Sequence, residues 1–317
     1  VIIYPHGSLF NLSFELLTPQ KIDSYSNLSK SSLLATHDFS YNYSLFLLDD
    51  RRNTLTFDED FIAFAPEFNS EMKKNYRFAL KDSVDIDKTY LTLLPQPFSL
   101  TLVERLNEKF RGKMYVNENA SKQIFTKAPK EHKIIHIGTH AESNNLNPEL
   151  SRLVFAKNVS DSTSLNDNYL YTYEIYNQNL SSELAILTAC ETGKPAFQPG
   201  EGMISLAHAF NYAGSKSILT SLWQIDEKSS TEIISSFYNY LEKGLAKDEA
   251  LKQSKLDYLK TAKGRTLHPS YWAGLVLMGD ANPIELSSSN TFFWFVIISL
   301  IILFFIAIMY KTKKPSK

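Results

Sequence analysis

Short apolar runs alternate with longer amphipathic stretches along most of this chain. Residues 184–190 read LAILTAC and residues 215–223 read SKSILTSLW, and both runs are typical of buried strands. Residues 228–244 and 246–264 instead repeat apolar side chains at helical spacing, and each stretch ends at a glycine. The alternation of the two patterns predicts an α/β fold with a mostly parallel central sheet flanked by helices.

The same patterns predict the remaining elements before residue 290. Helices are expected at 99–112 and 200–214, and a short strand and another helix are expected to follow the first of these. Residues 142–168 are rich in Asn and Ser, which predicts an irregular segment that could move. Further strands are expected at 1–5, 7–17, 43–48, 60–68, 132–140 and 270–280.

The pattern changes abruptly at the C-terminus. Residues 291–310 read TFFWFVIISLIILFFIAIMY, twenty residues without a charge. A helix of that length spans about 30 Å, the hydrocarbon thickness of a bilayer. This predicts one transmembrane helix, with a linker at 283–290 before it and a basic tail at 311–317 after it. The four lysines of the tail favour a cytoplasmic tail and a larger domain on the other side of the membrane. A buried core helix and a tail-anchored cytoplasmic domain are the alternatives.

Composition and charge narrow the class of protein. The chain has 44% apolar and 21% charged residues, as globular proteins do. The tail holds four of the 33 Lys and Arg residues and none of the 34 Asp and Glu residues, so residues 1–290 carry a net charge of −5. A net acidic domain argues against nucleic-acid binding. One cysteine cannot form an internal disulfide. Because the chain starts at Val1 with a strand-like run, we expect it to be the C-terminal piece of a longer protein.

Two of the predicted strands end in side chains that can do chemistry together. The strand at 132–140 ends at His140, and the strand at 184–190 ends at Cys190. Reactive groups collect at the carboxyl edge of a parallel sheet, so we expect the imidazole and the thiol to lie close together. A thiolate attacks a carbonyl while an imidazole moves the protons, and the backbone N–H groups at Ala141 and Cys190 are candidate oxyanion donors. The competing interpretation is that Cys190 is a small buried residue of the core.

Histidines recur every four residues in the first of these strands, at His132, His136 and His140. On a helix this spacing would place them on one face as metal ligands, but the run KIIHIGTH alternates around β-branched residues and predicts a strand. In a strand the three share a face yet lie too far apart to bind one ion. We therefore expect no metal site, and surface and structural roles for His132 and His136.

Several segments together resemble a known family. In order, spacing and flanking residues, four of them are similar to the CHAT domain, a caspase- and separase-like peptidase family often fused to TPR repeats. The four segments are IIHIGTH, LAILTACETG, GEGMISLAHAFNYAGSKSILTSLWQID and HPSYWAGLVLMGD. IYPHGSLFNLSFELL and FIAFAPEF resemble the opening of the family, so the resemblance covers a domain at residues 1–282. It implies a caspase–hemoglobinase fold.

The resemblance also implies an activity. His140 matches the dyad histidine and Cys190 the nucleophile of an endopeptidase that hydrolyses peptide bonds through a thioester, without a metal or an organic cofactor. The implied partners are a protein or peptide substrate and an upstream TPR-type region or activating partner. The family usually has glycine after the histidine, where this chain has Ala141. Alanine keeps the backbone N–H that helps hold the oxyanion, and it is strained only if φ is positive there.

The sequence gives weaker evidence on which substrate side chain is preferred before the cut. The segment SLWQIDEKSS follows a central strand, near where related enzymes build part of the pocket for the residue before the cut. Asp226 or Glu227 there would favour a basic substrate side chain. Alternatively, Asp226 caps the helix that follows. Glu191, next to Cys190, either orients its loop or faces water.

Three functions remain open at this level. The first is a membrane-anchored cysteine endopeptidase with Cys190 and His140 as its dyad. The second is a CHAT-type interaction or signalling module that keeps the fold without activity, and Ala141 is the residue that favours it. The third is a structural membrane receptor in which Cys190 is buried and resists thiol reagents.

Overall fold

Strands and helices alternate from Ile2 to Gly279. The structure, a computed structural model, describes residues 1–43, 57, 59–80, 86–128, 131–144, 146–160, 165–188, 190–191, 202–286 and 299. The strands are β1 (Ile2–Ile3), β2 (Ser40–Tyr41), β3 (Glu59–Ala65), β4 (Gly112–Val116), β5 (His132–Ile137), β6 (His140–Glu142), β7 (Arg152–Val154), β8 (Tyr169–Tyr171), β9 (Leu184–Leu187), β10 (Cys190–Glu191), β11 (Ser217–Ser221) and β12 (Leu275–Gly279). The α-helices are α1 (Leu28–Ser31), α2 (Ser70–Ala79), α3 (Lys88–Thr92), α4 (Pro97–Lys109), α5 (Lys122–Lys127), α6 (Thr172–Ile175), α7 (Gly202–Tyr212), α8 (Glu227–Glu242) and α9 (Lys247–Thr261). Short 3-10 helices lie at Gly7–Asn11, Phe14–Leu16, Tyr25–Asn27, Leu33–Ala35, Asn117–Asn119, Pro148–Leu150, Gly264–Leu267 and Pro269–Tyr271.

The main sheet has eight strands within the described residues, in the order β1-β2-β12-β11-β9-β5-β3-β4. Its neighbouring strands run parallel except β11 and β12, which are antiparallel. The three strands expected at the centre, β5, β9 and β11, lie side by side. The predicted α/β fold with a mostly parallel sheet is therefore confirmed.

Both faces of the main sheet are covered, which explains why its central strands are apolar throughout. Ile134 and Ile186 face one core, together with Phe237 of α8. Ile135 faces the other core, together with Phe210 of α7. Because successive residues of a strand point to opposite faces, each central strand contributes to both cores. Two helical layers thus fix the strand ends from which the site is built.

A second sheet, with four strands in the described part of the chain, has the order β10-β6-β7-β8. Runs 132–140 and 184–190 were each predicted as a single strand. This is wrong, because the main-sheet strands end at Ile137 and Leu187 and the runs continue in the second sheet as β6 and β10. The prediction that 142–168 is irregular is also wrong in part, since β7 lies inside it. Antiparallel pairing with β6 and β8 holds this short strand in place, and its own sequence gives no sign of that pairing.

The N-terminal segment departs most from its sequence pattern. Residues 7–17, predicted as a strand, instead form the 3-10 helices Gly7–Asn11 and Phe14–Leu16. Phe14 packs against one core and Leu16 against the other. The apolar spacing that resembles a strand therefore comes from successive turns that send side chains into both cores.

The predicted C-terminal segments lie almost entirely outside the described residues. Of the span 291–310 only Ser299 is described, and of the tail 311–317 nothing is. The linker is described up to residue 286, and the predicted strand 43–48 only at Tyr43. Within the described residues, no helix combines the length and the apolar character that crossing a membrane requires. The transmembrane helix and the domain boundary at 282 stay predictions.

Candidate active site

The first residues of β6 and β10 are paired across the second sheet. β6 begins at His140 and β10 at Cys190, and the two are register partners in a parallel pair. Neighbouring strands of a sheet lie about 4.8 Å apart, so the two backbones meet within reach of one substrate group. The structure thus brings together the two residues that the sequence singled out.

A tight turn carries the chain from β5 to His140. The hydroxyl of Thr139 donates a hydrogen bond to the carbonyl of Val154 in β7. Gly138 cannot be replaced without a shift, because a Cβ there would lie 2.1 Å from Oγ of Ser99. The turn therefore packs closely against the first turn of α4, and this contact fixes where the histidine strand begins.

Among the described residues, the imidazole of His140 has a hydrogen-bond partner at one of its two ring nitrogens. Its Nε2 lies 2.8 Å from the carbonyl oxygen of Leu94, and because a carbonyl can only accept, Nε2 carries the hydrogen. Its Nδ1 is buried and has no hydrogen-bond partner among the described residues. The ring of Phe68, whose φ is 55°, lies 5.1 Å from the imidazole. A bulky residue at positive φ is uncommon, so the surrounding structure must hold this wall of the site in place.

Burial lowers the pKa of His140, because the imidazolium form loses contact with water. The hydrogen bond to Leu94 opposes this shift, and the nearby ammonium group of Lys73 adds to it. The ring is therefore neutral near pH 7. A neutral imidazole with an open Nδ1 can accept a proton, which is what a general base requires.

A cavity of about 470 Å³ opens beside His140. Leu94 and Gln96, from the segment before α4, line one side, and Asp226 and Glu227, at the start of α8, line another. The side chain of Gln96 is buried, and its Oε1 has no hydrogen-bond partner among the described residues. Both acidic residues predicted for a specificity pocket therefore lie in the same cavity as the histidine.

Each of the two carboxylates also caps a helix. Asp226 is the N-cap of α8 and accepts from the N–H and the hydroxyl of Ser229 at 3.0 and 2.9 Å. Glu227 accepts from the N–H of Ser99, in the first turn of α4, at 2.9 Å. Burial raises the pKa of Glu227, and the negative charges of Asp226 and Glu67 raise it further. Helix capping, the alternative considered for Asp226, is thus a role that it has.

Ala141 continues β6 with its methyl group in the core. It is fully buried and packs in the same core as Leu153. Positive φ occurs at two described non-glycine residues, Phe68 and Asn117, and Ala141 is not one of them. Alanine therefore causes no backbone strain beside the histidine, and its N–H stays a candidate oxyanion donor.

The other two histidines of the KIIHIGTH run are both buried. Nδ1 of His136 lies 2.9 Å from the hydroxyl of Tyr238, and burial lowers its pKa to about 3. The expected surface role of His132 is wrong, because Nε2 of this buried residue lies 3.0 Å from Oε2 of Glu59. The reason is that β5 lies inside the main sheet, between β3 and β9. Within the described part of the chain, no group of His, Cys, Asp and Glu could hold a metal ion.

Three residues of the site come from elements that the sequence did not connect with His140. They are Phe68, Leu94 and Gln96, which precede the histidine by many residues. Leu94 precedes Pro95, and the residue before a proline is biased toward an extended backbone. The sequence therefore indicates a non-helical segment at Leu94, but not its contact with His140. Nothing in the sequence indicates which carbonyl the histidine reaches.

The two sheets and the paired His140 and Cys190 define a mixed α/β domain whose site lies where the sheets meet. Comparison with known families then identifies the particular family. The profile of the CHAT domain matches residues 1–280, and the chain belongs to that family. The resemblance noted in the sequence is confirmed.

Individual relatives are more distant. Tetratricopeptide repeat protein 28 of Homo sapiens is 28% identical over 135 residues, which is 43% of this chain and 5% of that protein; the Mus musculus protein is 26% identical over the same shares. A Saccharomyces cerevisiae separase–securin complex superposes over 81% of this chain and 15% of that one, at 13% identity and a TM-score of 0.44. The Arg specific cysteine proteinase gingipain R superposes over 86% of this chain and 60% of that one, at 10% identity and a TM-score of 0.43.

Proposed function

We propose that this chain is a cysteine endopeptidase of the caspase–hemoglobinase type, with Cys190 as nucleophile and His140 as general base and acid. The register pairing of these two residues is the observation that carries the proposal. Membership of the CHAT family supports it. A cysteine that only fills a core needs no imidazole beside it, whereas a nucleophilic thiol needs a base within reach.

Each ring nitrogen of His140 has its own task. Nε2–H donates to the carbonyl of Leu94, which fixes the ring. Nδ1, which has no partner in the described part of the chain, is the nitrogen that can accept a proton. Nδ1 then takes the proton of the Cys190 thiol as the sulfur attacks. The lowered pKa of His140 keeps the ring neutral before this step, as a base must be. The Leu94 carbonyl also stabilises the imidazolium that forms.

The reaction proceeds in two halves. The sulfur of Cys190 forms a bond to the peptide carbonyl carbon, whose oxygen becomes an oxyanion that the N–H groups of Ala141 and Cys190 hold. The C–N bond breaks as His140 gives its proton to the leaving amine, and a thioester remains on Cys190. Water then attacks the thioester, His140 takes the proton of that water and returns it to the sulfur, and the carboxyl product leaves.

The cavity beside His140 is the proposed pocket for the side chain before the cut, and Asp226 and Glu227 favour a basic side chain there. Both carboxylates line it, and its lining, taken over the described residues, contains no Lys or Arg. The backbone N–H of Ser99, at the N-terminus of α4, lowers the pKa of Glu227 and so opposes the rise that burial causes. A cationic side chain would also relieve the repulsion that helps raise the pKa of Glu227.

A thiol-directed acyloxymethyl ketone peptide tests the dyad. We expect the probe to label wild-type protein at Cys190, and Cys190→Ala and His140→Ala to abolish labelling. His6→Ala is the matched control, since His6 is exposed and lies outside the site. Undiminished labelling of His140→Ala would show that the thiol acts without the histidine and would overturn the dyad.

A diverse peptide library then separates an enzyme from an interaction module. A peptidase cuts some of these peptides, with a preference for Lys or Arg before the cut, and Cys190→Ala cuts none. If no peptide is cut by the wild type, and a protein partner binds equally to Cys190→Ser, the chain is an interaction module that has kept the fold.

The proposal includes an upstream region or a partner protein that controls the site. Relatives matched by this chain are named for tetratricopeptide repeats, so an upstream TPR-type region or an activating partner is expected to control the site. Adding such a region to the purified chain should raise the labelling rate of Cys190. An unchanged rate would remove this part of the proposal.

Membrane anchoring rests on the sequence of residues 291–310. The chain is expected to resist alkaline carbonate extraction, and a form ending at residue 286 is expected to be released. Protease protection of the basic tail then reports its side: a cytoplasmic tail agrees with the lysine distribution, and a protected tail indicates the tail-anchored arrangement.

A further inference from the structure

A buried ion pair lies behind the carbonyl that holds His140. Nζ of Lys157 is 2.7 Å from Oδ2 of Asp87, and the lysine side chain is 1% exposed. The rings of Tyr76, Tyr90 and Tyr169 surround the ammonium group, with centroids 5.0, 5.2 and 5.5 Å away. Burial lowers the pKa of Lys157, and the carboxylate of Asp87 opposes the shift. The ammonium group also donates to Oδ1 of Asn166 at 3.1 Å, so two acceptors and three aromatic rings surround it.

The pair joins two parts of the molecule that are far apart in sequence. Asp87 is the N-cap of α3, where its Oδ1 accepts from the N–H of Tyr90 at 3.0 Å. That helix leads directly into Leu94. Lys157 follows β7, the strand beside the histidine strand, and Tyr169 of β8 donates its hydroxyl to Oδ2 of Asp87 at 2.8 Å. One carboxylate thus connects the Leu94 segment to the sheet that carries His140.

The link through Asp87 matters because the imidazole of His140 and the carbonyl that binds it lie in the two different parts that it joins. The imidazole belongs to the second sheet, and the carbonyl that fixes it belongs to the segment after α3. A hydrogen bond weakens steeply when its geometry changes, so a small shift of α3 against the sheet would free the ring. The hydrogen bond therefore depends on contacts that keep the segment after α3 in a fixed position relative to the second sheet.

We propose that Asp87 and Lys157 are positioning residues that keep the Leu94 carbonyl against Nε2 of His140. The inference rests on the proposed function only for its effect on catalysis, since the positioning itself is a statement about the imidazole. A buried ion pair commonly adds little net stability, and an apolar pair of similar volume is often as stable. Its directional contacts instead favour one geometry of the two parts.

Other charged groups near the support have separate contacts. Nζ of Lys73 donates to the carbonyl of Leu93 at 2.5 Å. Arg152 pairs with Glu142, with Nη2 2.7 Å from Oε2, and its guanidinium stacks 3.7 Å from the ring of Tyr169. Neither Lys73 nor Arg152 has a hydrogen bond or an ion pair to Asp87 or Lys157 among the described residues, but Arg152 touches the pair indirectly, through the ring of Tyr169.

The test uses two variants of the pair and two matched controls. Lys157→Met removes the ammonium group, and Asp87→Asn leaves one acceptor oxygen where the carboxylate has two. The controls are Lys247→Met and Asp280→Asn, which break another buried lysine pair, with Nζ 2.8 Å from Oδ2. Asp280 directly follows the end of β12, which pairs with the start of β11. Lys157→Met and Lys247→Met each remove a buried ammonium group from an ion pair of nearly equal length, so general destabilisation should appear in both.

The primary readout is the solvent-exchange rate of the His140 Nε2–H proton, followed by NMR on histidine-labelled full chain and assigned with His140→Gln. We expect slow exchange in the wild type and both controls, and exchange faster by about tenfold or more in Lys157→Met and Asp87→Asn, the factor lost with one hydrogen bond. The rate constant of Cys190 alkylation should fall by about the same factor in these two variants only.

The outcomes separate the inference from the proposed function. Unchanged exchange in a folded Lys157→Met protein overturns the positioning role, and so does an equal change in Lys247→Met. If Lys157→Met does not fold, Asp87→Asn decides by the same criterion. Faster exchange in a protein that cuts no peptide would leave the positioning role standing and remove the endopeptidase.

Discussion

Nε2 of His140 and the carbonyl oxygen of Leu94 lie 2.8 Å apart, although 46 positions separate the two residues in the chain. The carbonyl just before it, of Leu93, accepts from Nζ of Lys73 at 2.5 Å. Burial lowers the pKa of His140, and the charge of Lys73 lowers it further. One lysine therefore acts both on the support of the histidine and on its charge.

Replacing Lys73 by Gln should raise the pKa of His140. Glutamine can still donate to the Leu93 carbonyl, but it no longer disfavours the imidazolium form by its charge. The measurement is an NMR titration of the His140 ring. Lys74→Gln is the control, because Lys74 is the exposed neighbour and is expected to leave that pKa unchanged. A pKa that stays constant or falls in Lys73→Gln would contradict the assignment.

The buried His136 should make the fold sensitive to acid. The pKa of His136 is about 3 in the folded chain and 6.5 in the unfolded chain. Between these two pH values the unfolded chain therefore binds a proton at His136 and the folded chain does not. The stability that depends on this neutral histidine is complete above pH 6.5 and is lost as the pH falls toward 3. One such group costs roughly 1.4 kcal/mol of the free energy of unfolding per pH unit in that range.

His136→Asn tests this dependence. The asparagine amide can donate or accept, so it can replace the hydrogen bond between Nδ1 of His136 and the hydroxyl of Tyr238, but it does not titrate. We expect lower stability than wild type near neutral pH, where a cavity is left, and a flatter dependence of stability on pH below 6.5. Urea unfolding at several pH values measures both, with His6→Asn as the exposed control. An unchanged slope in His136→Asn would argue that His136 is protonated in the folded state.

Gly138→Ala should destabilise the turn before His140, and Ser99→Ala should rescue it. The added Cβ would lie 2.1 Å from Oγ of Ser99, 3.3 Å from Oγ1 of Thr188 and 3.5 Å from Cβ of Ser99. Removing the Ser99 hydroxyl therefore removes the severe clash and leaves one tight contact. We expect a loss of about 1–3 kcal/mol for Gly138→Ala, as overpacking costs, and a smaller loss for the double variant. Thermal and urea unfolding of the two single variants and the double variant give the coupling. Additive losses would show that Ser99 is not the obstacle.

Asp226 should reveal its two roles through two different substitutions. Asp226→Ala removes the N-cap of α8 and should cost about 1 kcal/mol of stability, whereas Asn caps as well as Asp. Asp226→Asn should therefore stay near wild-type stability. In the Asp226→Asn variant, the ratio of kcat/KM for substrates with Lys or Arg before the cut to kcat/KM for substrates with Leu there should fall by about tenfold. The reason is that a hydrogen bond to a charged group contributes roughly 1.5 kcal/mol. An unchanged ratio of kcat/KM values would leave Asp226 with its capping role alone.

The sequence predicted the fold best where the local pattern and the packing agree. β9 and β11 are covered on both faces, so their apolar runs were clear strand signals. Between Gly7 and Leu16 the apolar spacing arises from turns, and the strand prediction there is wrong. The run 132–140 was predicted as one strand because nothing in its periodicity shows that residues 138 and 139 leave the main sheet.

The sequence by itself determined the α/β alternation, the family, and the choice of His140 and Cys190, because these depend on periodicity and on motifs that are local in the chain. Only the tertiary structure decided which carbonyl holds the imidazole, that Glu227 caps a helix at Ser99, and that Asp87 meets Lys157. The physical reason is that these are directional contacts between residues 46, 128 and 70 positions apart, and packing, not periodicity, sets their distances.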